Sequence, residues 1–309
     1  MEIATRDAYG KTLAELGEKN PRIVVLDADL SCSTKTQIFA QKFPERFFNM
    51  GVAEQDMMGT AAGLALAGKI PFASTFAVFA TGRAWEVVRN SIAYPKLNVK
   101  ICASHAGLTV GEDGASHQAI ADVAVMRAIP NMTVLVPADG PETEAMIRKI
   151  VDHPGPVYVR LGRAKVPVIY EGGCDFSIGK GQVLREGKDF AIVATGLMVA
   201  YALQVAKNLS KQGIEATVVN MSTIKPIDEA LLKQLAQKFP LLVTVEEHSI
   251  IGGLGSAVAE TLSEVQPVKI KRIGVRDQFG QSGTYQDVLH YYQLDPEGIE
   301  KQILGVIPG

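Results

Sequence analysis

The first part of the chain alternates between short apolar runs and longer segments that mix apolar and polar positions. Apolar runs of strand length lie at 22–27, 70–74, 99–104, 132–137 and 156–161. Segments of helix length lie at 5–18, 52–67, 82–93 and 141–151. Strands that are apolar on both faces and alternate with helices predict a parallel sheet covered by helices on both sides.

Glycine and proline interrupt this pattern at 166–188, which predicts a linker that leads into a short hairpin. A second block of the same kind begins near Asp189, with strands at 190–194, 216–220, 241–246 and 268–274 and helices at 199–212, 228–238 and 254–264. The predicted fold class is therefore α/β with two three-layer domains. We expect a parallel-sheet domain at 1–167, a linker at 168–188 and a smaller α/β domain at 189–309.

Composition narrows the class of function. The 309 residues carry a formal net charge of −2 without a basic run, which argues against nucleic-acid binding. No apolar run is long enough to cross a membrane, and the first residues do not resemble a signal peptide, so we expect a cytoplasmic protein. Three cysteines, at 32, 102 and 174, are widely spaced and odd in number, which argues against a disulfide framework and a structural zinc site.

Glu54 is the first candidate functional residue. It lies in Gly51-Val-Ala-Glu-Gln, which follows the aromatic strand Arg46-Phe47-Phe48. An isolated glutamate at the start of a helix is usually explained by the helix dipole. Phe76 and Phe79 follow in Ser-Thr-Phe-Ala-Val-Phe, and two aromatic residues at that spacing usually pack in a core. Taken one by one, these three residues are therefore explained by structure alone.

A second group lies after the predicted strand 99–104. His105 follows its carboxyl end, where ligands meet open α/β sheets, and Asp113 and His117 lie in Gly-Glu-Asp-Gly-Ala-Ser-His a few residues on. Two histidines and an aspartate in one strand-end loop favour a functional site. A mononuclear metal site is an alternative, since His and carboxylates are common ligands, but a helical i, i+4 histidine pair is missing.

Together these motifs resemble the pyrimidine-binding half of transketolase. The resemblance implies that Glu54 hydrogen-bonds N1′ of thiamine diphosphate and favours the tautomer from which the reactive ylid forms. It also implies that Phe76 and Phe79 line a slot for the pyrimidine ring. Asp29 matches an acidic residue near the cofactor in this family, although a turn acid after a strand explains it equally well.

The same resemblance implies a sugar-phosphate site. His105 and Asp113 would contact substrate hydroxyls, and His117 would contact the donor ketose and help to move its hydroxyl proton. Glu54, His105 and His117 are thus the expected catalytic residues. Arg6, Ser33 and Arg163 match family residues that hold the substrate phosphate, for which guanidinium and hydroxyl groups are suited.

Residues 4 to about 305 resemble only the second and third domains of a full transketolase. Segments 223–228, 246–248 and 252–255 carry the resemblance to its C-terminal domain, to which no catalytic role is assigned. The family holds Mg²⁺ and the diphosphate through a Gly-Asp-Gly motif that is missing here. The resemblance therefore implies the C-terminal subunit of a split transketolase. An N-terminal partner would hold the metal, in an α2β2 assembly that transfers a two-carbon ketol unit from a ketose phosphate to an aldose phosphate.

Three alternatives stay open. Deoxyxylulose phosphate synthase shares the glutamate and the Gly-x-Asp-Gly-x-x-His run, but it tends to carry an aspartate in place of His105. The beta subunit of a 2-oxo-acid dehydrogenase has the same two domains, but a short oxo acid does not require a phosphate anchor. A non-catalytic paralogue is the third alternative, and the retained acidic and histidine side chains weigh against it.

Overall fold

The computed structural model describes residues 1–307, which group into two compact units. Unit 1 comprises residues 1–106 and 125–177, and unit 2 comprises residues 107–124 and the chain from 178 onward. The loop that carries Asp113 and His117 therefore packs as part of unit 2. The predicted domain boundaries at 167 and 188 stay predictions.

Unit 1 is built on a parallel sheet. Its strands are β1 (Glu2–Ala4), β2 (Ile23–Asp27), β3 (Phe47–Asn49), β4 (Ile70–Ser74), β5 (Lys100–Ala103), β6 (Thr133–Leu135), β7 (Val157–Arg160) and β8 (Lys165–Pro167). The order β6-β7-β5-β4-β2-β3 is parallel throughout. β1 and β8 form a separate antiparallel pair. The carboxyl ends of β2, β4, β5 and β7 consequently lie along one edge of the sheet.

Helical segments connect these strands. They are α1 (Thr5–Lys19), α2 (Ser31–Thr34), α3 (Gln37–Lys42), α4 (Glu54–Leu66), α5 (Ala77–Gly82), α6 (Trp85–Val87), α7 (Asp122–Arg127) and α8 (Gly140–Val151), with 3₁₀ turns at Pro44–Arg46 and Leu108–Asp113 and a π-helix at Val88–Ala93. At α8, Asp139 accepts the Glu142 amide at 2.8 Å, and Glu142 accepts the Ala138 amide at 2.6 Å. The first bond satisfies an amide that the first helical turn leaves unbonded, and the second ties the residue before the N-cap to that turn.

Unit 2 contains a second sheet. The strands of this sheet are β9 (Gln182–Arg185), β10 (Phe190–Ala194), β11 (Ala216–Asn220), β13 (Leu241–Ser249) and β14 (Lys269–Val275), and the short strand β12 (Thr223–Lys225) is not part of it. Its helices are α9 (Met198–Ser210), α10 (Glu229–Lys238), α11 (Leu254–Val265), α12 (Tyr285–Tyr291) and α13 (Pro296–Leu304). The sheet order is β14-β13-β10-β11-β9, with β9 antiparallel to β11 and the other pairs parallel.

The predicted α/β class with mostly parallel sheets is confirmed. β2, β4, β10 and β11 are buried at every residue, which is why their sequences are apolar on both faces. Among residues 1–307, no helix combines the length and the apolar character that a membrane crossing requires.

Two local predictions are wrong. The predicted helix at 82–93 instead begins at Ala77, is interrupted near Ala84 and ends in the π-helix. The predicted hairpin near 182 is also incorrect, because β9 pairs with β11 rather than with a neighbouring segment. For β9 the partner strand is distant in sequence, so a local pattern does not contain it.

Candidate active site at the carboxyl edge of the unit 1 sheet

Glu54 is the first residue of α4 and is buried, with 3% of its surface exposed. Ala53 precedes it as N-cap and gives the helix no side-chain cap, so the carboxylate lies at an open helix N-terminus, where the dipole favours negative charge. Arg83 Nη1 donates to both carboxylate oxygens of Glu54, at 3.1 Å and 3.3 Å. The carboxylate opens onto a cavity of about 470 Å³ that is lined by Val52, Ala53, Glu54, Gln55, Asp56 and Arg83.

Phe76 and Phe79 form a stack next to this cavity. A parallel bridge between Phe76 and Ser104 extends the β4–β5 pairing beyond the strand ends, and the Ala77 amide donates to the Ser104 carbonyl at 2.7 Å. This backbone arrangement positions the Phe76 ring 3.7 Å from the His105 ring, at an interplanar angle of 18°. The centre of the Phe76 ring also lies 5.9 Å from the centre of the Phe79 ring, and the two rings are nearly parallel, at an angle of 10°.

The stack continues to Arg83, whose guanidinium carbon lies 4.5 Å from the centre of the Phe79 ring. Five side chains thus contact one another in the order His105, Phe76, Phe79, Arg83 and Glu54, and we call this set the stacked row. It joins the predicted catalytic glutamate to the predicted substrate histidine through contacting side chains. Aromatic faces beside a buried carboxylate acceptor are suited to contact with a planar, nitrogen-containing ring.

His105 is buried and holds an unusual backbone conformation, with φ of 56°. Its Nδ1 lies 2.9 Å from Ser104 Oγ, and its Nε2 lies 3.3 Å from Arg6 Nη1. A left-handed backbone is uncommon for a residue with a side chain and occurs often at functional sites. Here it turns the chain just after β5, so that the imidazole stacks on Phe76.

The predicted phosphate anchor is brought together in unit 1. Arg6, in the first turn of α1, donates from Nη1 to the Ser33 backbone carbonyl at 3.0 Å. Burial lowers the pKa of Arg6; Asp7 raises it, and the positive charge of Arg163, which follows β7, lowers it further. Two guanidinium groups close enough to repel each other favour an anion between them.

Asp27 holds the loop that carries Ser33. Its carboxylate is fully buried and accepts hydrogen bonds from the Leu30 amide at 2.6 Å and from the hydroxyls of Thr34 and Thr36 at 2.7 Å and 2.8 Å. Burial raises the pKa of Asp27, and the three donors act in the opposite direction. This network anchors α2 at the carboxyl end of β2, beside Arg6.

Asp29 is exposed, with φ of 64°, and accepts a hydrogen bond from Asn49 Nδ2 at 2.9 Å. It lies in the turn after β2, near the end of β3. This placement fits the turn interpretation, and the cofactor role stays a prediction.

Asp113 and His117 lie on the loop of unit 2. Asp113 is exposed, and half-buried His117 has its Nδ1 2.9 Å from Ser116 Oγ. The loop is fastened within its own unit, because Glu247 accepts the Thr109 amide at 2.5 Å and Gln118 donates to the Gln281 carbonyl at 2.8 Å. The 107–124 loop is thus held by the strand that carries Glu247.

The Glu-Glu-His run of unit 2 has a structural explanation. Glu246 accepts the amides of Leu254 and Gly255 at 2.7 Å and 2.8 Å, and so caps α11. A Cβ at Gly253 would lie 2.0 Å from the Glu246 carboxylate, so this helix entrance requires glycine. The Gly252–Gly255 run is therefore a helix start.

Sequence reasoning missed Arg83. The available signal was its position four residues after Phe79, which on a helical turn brings a guanidinium over the ring. Across residues 1–307, no group of three or more His, Cys, Asp or Glu side chains is arranged to hold a metal ion.

The structure is an α/β protein with stacked aromatic rings, a buried carboxylate and a partly buried arginine in unit 1. Comparison with known proteins identifies the family. Residues 1–168 match the transketolase pyrimidine binding domain, and residues 179–299 match the transketolase C-terminal domain. The chain belongs to the transketolase family.

Two relatives match over most of their length. A protein of Methanocaldococcus jannaschii, named for the C-terminal section of transketolase, is 56% identical over 97% of this chain and 95% of its own length. The 6-deoxy-6-sulfo-D-fructose transketolase subunit of a Clostridium species is 47% identical over 90% of this chain and 86% of its own length.

Solved structures agree with the sequence relatives. A chain described as split gene transketolase, in an inactive beta4 tetramer, is 58% identical, covers 99% of this chain and 98% of its own length, and has a TM-score of 0.92. Transketolase from Pichia stipitis, solved with sedoheptulose 7-phosphate, is 26% identical with a TM-score of 0.84. This chain spans 46% of that longer protein.

Proposed function

We propose that this chain is the C-terminal subunit of a split transketolase. Together with a separate diphosphate-binding subunit it transfers a two-carbon ketol unit from a ketose phosphate to an aldose phosphate. The observation that carries the proposal is the stacked row: a buried carboxylate and two parallel phenyl rings beside a histidine, in a chain of the transketolase family.

Thiamine diphosphate fits these residues. Glu54 is an acceptor at the end of an aromatic slot, and it already receives a flat, nitrogen-rich cation in Arg83. Phe79 offers a ring face that Arg83 also covers. When bound, the cofactor supplies a carbon nucleophile and an electron sink.

The residues of this chain bind and orient the reactants. Glu54 would hold the proton at the pyrimidine N1′, and Phe76 and Phe79 would position the ring. His105 would accept a hydrogen bond from a sugar hydroxyl at Nε2 once the substrate replaces Arg6 there. Arg163 together with Arg6 and Ser33 would bind the phosphate.

Asp113 and His117 would act on sugar hydroxyls. His117 would take the hydroxyl proton of the donor, since imidazole transfers protons near neutral pH. The aspartate would accept hydrogen bonds from sugar hydroxyls. Asp29 would lie close to the cofactor.

A partner subunit would supply the Mg²⁺ and diphosphate cradle through its Gly-Asp-Gly motif. Two findings support this. The relatives that match end to end are of similar length, and one of them is described as a split gene transketolase whose beta4 tetramer is inactive. The active assembly would be α2β2, with two sites related by a two-fold axis.

The sugar pair is best tested as a panel. The relatives include a subunit for 6-deoxy-6-sulfo-D-fructose and, at 40% identity, one of the subunits of apulose-4-phosphate transketolase from Phocaeicola vulgatus. Xylulose 5-phosphate, the sulfonated ketose and apulose 4-phosphate would therefore be offered as donors, with ribose 5-phosphate as acceptor.

The deciding experiment measures ketol transfer with thiamine diphosphate and Mg²⁺, using this chain alone and mixed with a diphosphate-binding subunit. We expect activity in the mixture alone. Glu54→Gln should assemble normally and lose about 10²- to 10⁴-fold in kcat, the range for proton-transfer groups. Glu18→Gln, an exposed partner of Lys42, is the charge-matched control and should keep its activity. A Glu54→Gln mixture of normal activity contradicts the proposal.

A further inference from the structure

Arg83 binds the two groups of the site that a pyrimidine would need. Its Nη1 donates to both oxygens of Glu54, and its guanidinium covers the face of Phe79. The proposed function assigns the same carboxylate and the same ring to the cofactor. One side chain of the protein thus fills the position of a ligand.

The chemical match is close. A guanidinium is a flat, delocalised cation whose nitrogens donate in one plane. A protonated 4-aminopyrimidine has the same features, since its N1′–H belongs to a planar, charged amidine. Both groups can stack on an aromatic face and donate to a carboxylate.

Energetics explain why the chain carries such a residue. Glu54 is 3% exposed, and a buried carboxylate that lacks a counter-charge is costly. Arg83 provides that charge from the surface, since 54% of its side chain is exposed. Its long side chain can therefore swing into water without rearrangement of the core.

We propose that Arg83 is the internal counter-ion of Glu54, and that it competes with the aminopyrimidine for the carboxylate and the Phe79 face. The proposal rests on the proposed function. Arg83 occupies this subsite while the cofactor is absent and leaves when the pyrimidine ring enters. The observed affinity for the ring is therefore lower than it would be if the guanidinium were not there to be displaced.

The test measures binding, not turnover. The probe is 4-amino-5-hydroxymethyl-2-methylpyrimidine, added to this full chain and followed by calorimetry. Arg83→Gln should bind the probe about tenfold more tightly than the unaltered chain, as loss of a charged hydrogen-bonded competitor implies. Arg83→Lys keeps the charge but not the flat stacking surface, and it should fall between the two.

Two controls make the result specific. Arg22→Gln removes an exposed guanidinium at the amino end of β2, at the opposite edge of the sheet, and should leave the affinity unchanged. In a Glu54→Gln background, Arg83→Gln should no longer tighten binding, because the competition depends on the carboxylate. Ligand-free Arg83→Gln should also melt at a lower temperature than Arg22→Gln.

The outcomes separate this proposal from the proposed function. If the unaltered chain binds the probe and Arg83→Gln binds it equally or more weakly, the competition is refuted while the pyrimidine subsite stands. If Glu54→Gln binds as well as the unaltered chain, the role of Glu54 in the proposed function fails. Absence of binding in every variant, Arg83→Gln included, overturns both.

Discussion

The side chains of Arg6 and His105, 99 residues apart in the chain, meet through an Nη1–Nε2 contact of 3.3 Å. A guanidinium can only donate hydrogen bonds, so Nε2 of the imidazole must accept. The ring therefore carries its proton on Nδ1, from which it donates to Ser104 Oγ at 2.9 Å. Two neighbours thus determine which histidine nitrogen faces a substrate as an acceptor.

The first prediction concerns this tautomer. Nitrogen-15 spectra of the imidazole should report Nδ1–H as the dominant tautomer of His105. Arg6→Met removes the donor and should produce a mixture of tautomers, whereas Arg22→Met should leave the spectrum unchanged. A dominant Nε2–H form in the unaltered protein would show that the Arg6 contact does not control the ring.

The second prediction concerns the phosphate anchor. Arg163→Ala should raise KM for phosphorylated sugars by about tenfold to a hundredfold, the equivalent of a charged hydrogen bond, with a smaller effect on kcat. Steady-state kinetics of the assembled enzyme would measure it. The control is an acceptor without phosphate, glycolaldehyde, whose KM should stay the same. If Arg163→Ala and the unaltered enzyme have equal KM values for phosphorylated sugars, Arg163 is not part of the phosphate anchor.

The third prediction concerns Lys100, which is completely buried at the start of β5 and donates to the carbonyls of His153 and Gly155 at 2.7 Å and 2.9 Å. Burial lowers the pKa of Lys100 to about 7 in the folded chain, from 10.5. Between pH 7 and pH 10.5 the unfolded chain binds one proton more than the folded chain at Lys100. The contribution of Lys100 to the free energy of unfolding therefore rises with pH in this range.

Denaturant unfolding from pH 7 to pH 10 checks this sign. Relative to Lys100→Met, the unaltered chain should gain up to about 1.4 kcal/mol per pH unit, the value for one proton. Below pH 7 both states are protonated, and the difference between the two proteins should become constant. A difference that is flat across the whole range would mean that Lys100 stays charged in the folded state.

The fourth prediction concerns the packing that places Ser33 beside Arg6. A Cβ at Gly10 of α1 would lie 2.5 Å from Lys35 Cβ and 2.6 Å from its carbonyl oxygen, just after α2. Gly10→Ala should therefore destabilise the chain by about 1–3 kcal/mol, the usual cost of overpacking. Gly63→Ala, on an exposed position of α4 with open space around it, should instead stabilise by up to about 1 kcal/mol.

Urea unfolding of both variants measures the contrast. A Gly10→Ala protein as stable as the unaltered chain would mean that the loop after α2 moves freely away from α1.

Several elements could be predicted from the sequence because a buried strand consists of consecutive apolar residues. β4, β10 and β11 were expected at the bounds that the structure has, since strands covered on both faces are apolar at every position. Glu54 was expected just inside its helix, and it is the first residue of α4. The family resemblance assigned Arg6, Ser33 and His105 to substrate binding, and in unit 1 Arg6 contacts both of the other residues.

Short edge elements escaped prediction. β1 and β8 have three residues each, too few for a period, and exist because they pair with each other across about 160 residues of chain. The pairing of β9 with β11 depends in the same way on a strand that is distant in sequence.

The sequence by itself determined the α/β class and the buried strands, because these follow from local hydrophobic patterning, whereas the roles of the site residues stay predictions of the family resemblance. Only the tertiary structure decided that Arg83 pairs with Glu54, that Arg6 sets the His105 tautomer, and that residues 107–124 pack with unit 2. Those relationships join side chains from separate elements. Hydrogen-bond geometry acts over a few ångströms, and sequence patterning does not contain distances between elements.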